Sequence, residues 1–429
     1  MTIWLKNGEL VDPVAGMVKK RDVIVNRGRI EKILPPGKFK ETGPRLETID
    51  TSGKVITPGL IDMHVHLREP GHEYKETILT GSRAGVAGGF TSLACMPNTD
   101  PVNDSRSVTE YILKQARKAN LLRVYPIAAI TIGQKGSTLT EFGDLKQAGA
   151  VGLSDDGHPV VNSEVMRRAL EYARYYQLTV ISHCEDLELS SDGVMHEGEV
   201  STQIGLAGIP AASEEIMVQR DITLAKLTGC PIHIAHTSTA GSVDAIRRAK
   251  EAGIPVTAET APHYFSLDHG AVVGFDTNTK MNPPLRTEED VEAIKRGLKE
   301  GVIDVIASDH APHSSIEKEL EFDKAAFGII GLETTLPLTL NLVRDGLLDL
   351  SSAINKLSFQ PAKILGINGG RIKEGEPADL TIIDLEYEYL LKSEDIQSKS
   401  KNSPFIGKMM KGITILTMVG GRIVWKRDL

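Results

Sequence analysis

Between about residue 55 and about residue 312 the chain repeats one alternation: a short apolar run, a polar or glycine-bearing break, then a segment with apolar residues at helical spacing. The apolar runs are KVITPGLIDMHVHL, GFTSLACMP, LLRVYPIAAI, AVGLSDDG, LTVISHCE, PIHIAHTS, PVTAETAPHY and IDVIASDHAP. Between them, SEVMRRALEYARYY and STAGSVDAIRRAKEAG carry apolar residues at i, i+3 and i+4. The second opens on Ser/Thr and runs to Gly253, as helix caps require. Eight such repeats predict a (β/α)8 barrel, an α/β fold whose usual size of about 250 residues matches the span. A doubly wound open sheet is the competing arrangement.

The flanks follow a different period. IWLKNGELVDP and DVIVNRGRIEKIL at the front, and ADLTIIDLE and ITILTMVGGRIVWK at the back, alternate like half-exposed strands with Asn/Gly turn signals. Neither flank can bury a core alone. The expectation is one small β-sandwich domain built from residues 1–56 and 370–429, around a barrel of residues 57–369. KSEDIQSKSKNSPFIGKMMKG is polar and is expected to be a long connection.

Composition limits the function. The 429 residues are 41% hydrophobic and 25% charged, ordinary for a globular protein. A net charge of −8 without a basic stripe argues against nucleic acid as a partner. No apolar run is long enough for a membrane span, and MTIWLKNGEL lacks the layout of a secretion signal. Cys95, Cys184 and Cys230 are too widely spaced for a disulfide framework or a zinc-type pair, so a cytoplasmic location is expected.

A barrel carries its reactive groups where strands end and the following loops begin. Strand one ends in Asp62, His64 and His66, which alternation puts on one face. Strand four ends in Asp155 and Asp156, strand five in His183, strand six in His236, and strand eight in Asp309, with His310 and His313 after it. A lone histidine in such a place is ordinarily a hydrogen-bonded core residue. All of them together, without a cation, would bury more polar atoms than packing can satisfy. Imidazole with carboxylate suits zinc, cobalt, manganese or ferrous iron, and the absence of thiolates argues against a closed structural zinc site. Two ions about 3.5–4 Å apart need a bridging carboxylate. That gives His64, His66 and Asp309 to one ion and His183 and His236 to the other, with one aspartate between, and Arg68 beside them for an anionic substrate. His233 is out of phase with His236 and is expected to point away from the barrel interior. His310 is expected to pack or orient, and His72, His158, His196, His263 and His269 to lie on the surface or behind the site.

These residues resemble the amidohydrolase superfamily and, more narrowly, the class I dihydroorotases of bacteria. DMHVHLREPG is similar to the family's strand-one signature, and IASDHAPH with GIIGLET to its carboxy-terminal one; CMPNT, SDDG, SHCED, IAHTS and MNPPLR stand between in the family's order. The likeness covers essentially the whole chain. It implies two Zn2+ per subunit, with single occupancy as the alternative, and reversible closure of N-carbamoyl-L-aspartate to (S)-dihydroorotate in pyrimidine synthesis. Relatives such as hydantoinases bridge their metals with a carboxylated lysine at the end of strand four. AVGLSDDG has no lysine there, and the class I pattern puts Asp156 in that role, with Asp155 as the structural alternative.

The resemblance further implies that His66, Arg68, Asn98, Asn282 and His313 bind substrate, Arg68 through the two parallel hydrogen bonds its planar fork can make to a carboxylate. Phe327 and Gly328 are implied to offer backbone groups to the ring, and Asp309 to move the proton. The implied partners are a small-molecule substrate, a second copy of the chain in a homodimer, and aspartate carbamoyltransferase. Two competing readings are a hydantoinase- or allantoinase-like hydrolase and a non-catalytic subunit of a transferase complex. The missing lysine and HLREPG oppose the first, and the complete ligand set opposes the second.

Overall fold

The eight apolar runs become eight parallel strands: Leu60–Val65, Phe90–Cys95, Arg123–Ala128, Gly152–Leu153, Thr179–Ser182, Ile232–Ile234, Val256–Thr260 and Val305–Ile306. The computed structural model describes residues 2–40 and 46–427. Met1, residues 41–45 and residues 428–429, all within the expected composite domain, lie outside the described residues. Each strand pairs with its neighbours in chain order. A bridge from Val65 to His310 joins the last strand's extension to the first, so the sheet closes on itself. Its interior is filled by Met63, Ala94, Met96, Ile127, Ile181, Ala235, Val305 and Ala307.

The helices form where capping and apolar spacing direct them. Ser163–Tyr176 starts behind Asn162, whose Oδ1 accepts the Glu164 and Val165 amides at 2.9 and 3.2 Å. It buries Met166, Ala169, Leu170 and Ala173 on one face. Ala240–Glu251 is capped by the Thr239 side chain, and Gly253 just beyond it adopts φ +71°. Among the described residues, no helix is long and apolar enough to cross a membrane.

The chain ends meet in a second sheet of eight strands, all from residues 2–58 and 380–426. Ile3, Leu5, Val23, Val25, Ile56, Leu380, Ile382, Leu416 and Met418 form its own core. The first apolar run, expected as one strand, is two. Val55–Pro58 pairs with Leu380–Ile383 in the end sheet, while Leu60–Val65 opens the barrel. Gly59 makes the change of sheet: a Cβ there would sit 2.2 Å from the Thr91 side chain.

The polar connection before Met409 is not a solvated loop. Ser398, Ser400, Asn402, Ser403 and Phe405 are buried, and its polar groups bind the barrel. Gln397 N–H and Ser398 N–H donate to Glu333, and the Ser400 hydroxyl donates to the Lys75 carbonyl at 2.7 Å. Its serines and asparagine are there for hydrogen bonds that a buried irregular backbone must find.

Burial pushes the Glu333 carboxyl up to about 7, against the two amides that favour its charge. A carboxyl raised on folding binds more protons folded than unfolded, so its contribution to stability is present below about pH 4.5 and lost as pH rises through about 7. Glu333→Gln should therefore flatten the pH dependence of the urea midpoint across that window; an unchanged slope would show that Glu333 ionises as freely folded as unfolded.

Candidate metal centre and substrate pocket

The expected ligands converge at the carboxyl ends of the barrel strands. Several stand on backbone that has left strand geometry: Arg68, His236 and Asp309 have φ of 60°, 29° and 48°. Non-glycine residues in that region cost of order 1–3 kcal/mol each and persist where surrounding structure over-determines them. Closure of the barrel supplies part of that constraint, since His66 N–H donates to the His310 carbonyl at 2.8 Å.

Asp156 sits at the middle. Its Oδ1 lies 3.4 Å from His64 Nε2, 3.6 Å from His183 Nδ1 and 3.4 Å from His236 Nε2, and its Oδ2 lies 3.5 Å from His66 Nε2. Two donor sets result, His64–His66–Asp156 and Asp156–His183–His236, with Asp156 in both. Asp309 Oδ1 borders the first set, 3.3 Å from His66 Nε2 and 3.6 Å from His64 Nε2. All six side chains are buried. Asp155, the alternative bridge, faces elsewhere: its Oδ1 accepts the Ile130 and Thr131 amides at 2.8 and 3.1 Å.

The donor chemistry fits divalent cations. Among the described residues, His64 Nε2 and Asp156 Oδ1 are buried without a hydrogen-bond partner, an arrangement that packing alone leaves costly. His183 Nδ1 and His236 Nε2 face each other at 2.7 Å, so either one ring donates to the other or positive charge lies against both lone pairs. Burial disfavours charge on His64, yet Asp156 and Glu259 outweigh it and hold the imidazole well above its ordinary value. Burial likewise opposes charge on His183, but Asp156 and Glu185 raise it to about 10. Conversely His64, with His183 and His236, holds Asp156 well below the carboxylate range against its burial. The cavity is built for positive charge.

Each of three ligands is oriented from behind, as metal-binding histidines require. Glu259 Oε1 takes His64 Nδ1–H at 2.5 Å, leaving Nε2 aimed inward. Asn98 Oδ1 takes His66 Nδ1–H at 2.8 Å. Glu185 Oε2 takes His183 Nε2–H at 2.8 Å and the Asn282 amide at 3.0 Å.

Two expectations are corrected. His233 points toward the site, not away: its Nε2 is 3.3 Å from Glu259 Oε2 and its Nδ1 2.8 Å from Thr257 Oγ1. The strand stops at Ile234 and His236 turns to positive φ, so period-two counting does not carry across. Asp62 does not share the ligand cluster with His64 and His66, because the pairing register shifts between Asp62 and Val65. Its carboxylate instead accepts the His64 and Ser308 amides, and burial pushes it up to about 7.

Glu259 and Glu185 escaped the sequence reading, although each ends or follows a barrel strand as the histidines do. His310 orients as expected, its Nδ1 accepting Gly331 N–H at 3.1 Å.

Beside the ligands lies a cationic corner. Arg68, 9% exposed, donates through Nε to the Pro312 carbonyl at 3.2 Å and through a terminal nitrogen to His313 Nε2 at 3.3 Å. Among the described residues no carboxylate pairs with it, and burial lowers it to about 10. Burial, then Arg68, Lys75 and Lys318, push His313 down to about 2, so its ring is neutral. Asn98 and Asn282 are half-buried at the pocket wall. The Gly328 backbone is already engaged, its N–H on the Lys280 carbonyl at 2.9 Å and its C=O taking Asn402 Nδ2 and Lys318 Nζ, both at 3.1 Å. Phe327, half-buried with its ring 4.4 Å from Lys280 Nζ, has backbone groups without such partners.

Comparison with known proteins agrees with this geometry. The dihydro-orotase-like family matches residues 53–242 and the amidohydrolase family residues 199–425. The chain is 53% identical over 427 residues to a dihydroorotase of Geobacter metallireducens and 54% identical over 428 to one of Geotalea daltonii, covering 100% of both chains in each case. In structure it is similar to the L-hydantoinase (dihydropyrimidinase) of Arthrobacter aurescens, with TM-score 0.89 and 26% identity over 99% of this chain and 96% of that one. The dihydropyrimidinase of Brevibacillus agri shares the fold, with TM-score 0.85 and 23% identity over 99% and 95%.

Glu259→Gln keeps the shape of the side chain but removes the charge behind His64. Affinity for Zn2+ or Co2+, titrated against a competing chelator, should fall roughly 10–100-fold; an unaltered affinity would mean that Glu259 does not tune the centre.

Proposed function

The chain belongs to the dihydroorotase family of the amidohydrolases, and from that membership we infer that it is a cyclic amidohydrolase of pyrimidine biosynthesis. It interconverts N-carbamoyl-L-aspartate and (S)-dihydroorotate plus water. The observation that carries this reading is the buried, carboxylate-free Arg68 beside a paired donor set sharing Asp156. Dihydroorotate has both an amide to hydrolyse and a carboxylate to bind; hydantoin and dihydropyrimidine rings lack the carboxylate.

In this reading His64, His66 and Asp309 would hold one Zn2+ and His183 and His236 a second, with Asp156 available to both. A bound divalent cation supplies Lewis acidity, making water acidic near neutral pH and polarising a carbonyl. The chain's own residues do the rest. Arg68 binds the substrate carboxylate through its planar fork, and the neutral His313 lies against the same end. Asn98 and Asn282 each spend one amide atom on the His66 and Glu185 contacts and keep further hydrogen-bonding capacity for the ring.

Asp309 takes the proton of the attacking water and returns it to the leaving nitrogen as the C–N bond breaks. His66 and His64, set against its burial, hold its carboxyl below the ordinary range, so it begins as a base. In the biosynthetic direction it takes the ureido N–H proton as that nitrogen attacks the carboxylate carbon, then gives it to the carboxylate oxygen as the C–O bond breaks, and with a further proton from solvent that oxygen leaves as water. The reading extends to a cytoplasmic homodimer that associates with aspartate carbamoyltransferase, which light scattering with and without the transferase tests.

Zinc-supplemented protein should consume dihydroorotate, followed by its ultraviolet absorbance, and leave hydantoin and allantoin untouched. Preferential turnover of either of those would overturn the substrate assignment. Asp309→Asn should keep its fold and lose turnover by about 100–10,000-fold; substantial residual activity would remove Asp309 from proton transfer.

A further inference from the structure

Asn402 lies in the buried connection of the end sheet, far in sequence from every barrel strand, and is 5% exposed. Its side chain reaches two loops of the barrel mouth at once. Oδ1 accepts His313 N–H at 3.1 Å, and Nδ2 donates to the Ala311 carbonyl at 3.0 Å and the Gly328 carbonyl at 3.1 Å. Its backbone carbonyl accepts Ile330 N–H at 2.9 Å. Each hydrogen-bonding atom of the amide is therefore spent on one of two segments. One carries His313, and the other carries Phe327 and Gly328.

Those segments run side by side through the His310–Ile329 bridge and Ala311 N–H to Ile329 O at 2.8 Å. Beyond Ala311 and before Ile329 they are joined through Asn402, with Lys318 Nζ on the Gly328 carbonyl and Ala326 N–H on the Glu317 carbonyl tying the second segment to the helix that follows His313. There lie the side chain that faces Arg68 and the backbone of Phe327.

We propose that Asn402 is a positioning residue for substrate binding: by clamping the His313 and Phe327–Gly328 segments together, it sets the width and orientation of the carboxylate end of the pocket. The inference rests on the dihydroorotase reading above. Asn402 touches neither the metal-binding atoms nor Asp309, so its loss should fall on substrate affinity. A displacement of about 1 Å in such a group is enough to be costly. The plainer alternative is a buried asparagine that only satisfies loop backbone, and a double-mutant cycle separates the two.

The test compares wild type, Asn402→Ala, Asn402→Asp, His313→Ala and the Asn402→Ala/His313→Ala pair, each zinc-loaded, in steady-state turnover of dihydroorotate. Metal content and melting midpoint are measured alongside. Asn402→Ala should raise KM about tenfold or more while kcat changes by less than about threefold. In the His313→Ala background the same substitution should change KM by only about twofold. Asn402→Asp keeps the acceptor for His313 N–H, and should lie between wild type and Asn402→Ala. An equal KM penalty in both backgrounds, a loss confined to kcat, or an unchanged KM overturns the proposal. So does failure of both Asn402 variants to fold with bound metal, which would make the residue purely structural. Wild-type protein inert toward dihydroorotate, yet holding metal, would instead remove the functional reading beneath it.

Discussion

The buried Asp156 carboxylate, faced by four imidazoles, is the constraint on which the rest of the architecture depends. A lone carboxylate taken from water into a protein interior pays a heavy desolvation penalty, and so does a lone charged imidazole. Here one negative group is set within 3.4–3.6 Å of nitrogens delivered by strands one, five and six. Each group makes the others tolerable, and two of the atoms, His64 Nε2 and Asp156 Oδ1, still lack a partner among the described residues. Cations held by the two donor sets would resolve that deficit. They would also explain the carboxylates behind the ring: Glu259 and Glu185 add negative charge to histidines whose inward nitrogens must remain lone-pair donors.

Holding such a cluster needs a rigid frame, and the two sheets provide it together. Gly59 lets one continuous segment leave the end sheet and enter the barrel two residues before Ile61 and five before His64. At the other end of the chain, the polar connection returns across the barrel mouth. There it meets Glu333, Lys75 and the loops that follow strand eight. The end sheet is therefore more than an appendage that hides sequence termini. It is continuous with strand one at Gly59 and, through the connection, hydrogen-bonded to the mouth loops.

Much of this could be read from residues alone, for reasons that differ by feature. The barrel was legible because buried parallel strands must be apolar runs and the helices between them must carry one apolar face. The cluster of His64, His66, Asp156, His183, His236 and Asp309 was legible because all end strands of the same barrel. Alternation failed where backbone left strand geometry: His233 faces inward in phase with Ala235, His236 reaches the same side only because it sits at φ 29°, and Asp62 leaves the cluster where its strand shifts register. Neither irregularity has a local sequence signature. Glu259 hid for another reason: a single carboxylate in VTAETAP has a dull interpretation as readily as an orienting one. Asn402 could not be found this way at all, since its importance comes from contacts 74–91 residues away.

The cationic corner decides which ring the barrel should accept. The chain shares its fold with hydantoinases, so a barrel with this outline does not select a substrate. Arg68 does. It is buried, its partners are a carbonyl and a neutral imidazole, and its burial already lowers its hold on the proton. A guanidinium so placed has given up water without gaining an anion, and a substrate carboxylate restores that interaction in full. A ring without one leaves the group stranded, and an unmet buried charge discriminates far more strongly than an added apolar contact. His313 sharpens the effect. Kept neutral by the cations around it, it fills space against Arg68 without neutralising it, and so leaves the positive charge for the ligand. On the proposed function, specificity would thus come from an interaction the folded protein withholds from itself, built onto a barrel whose outline is shared with hydantoinases.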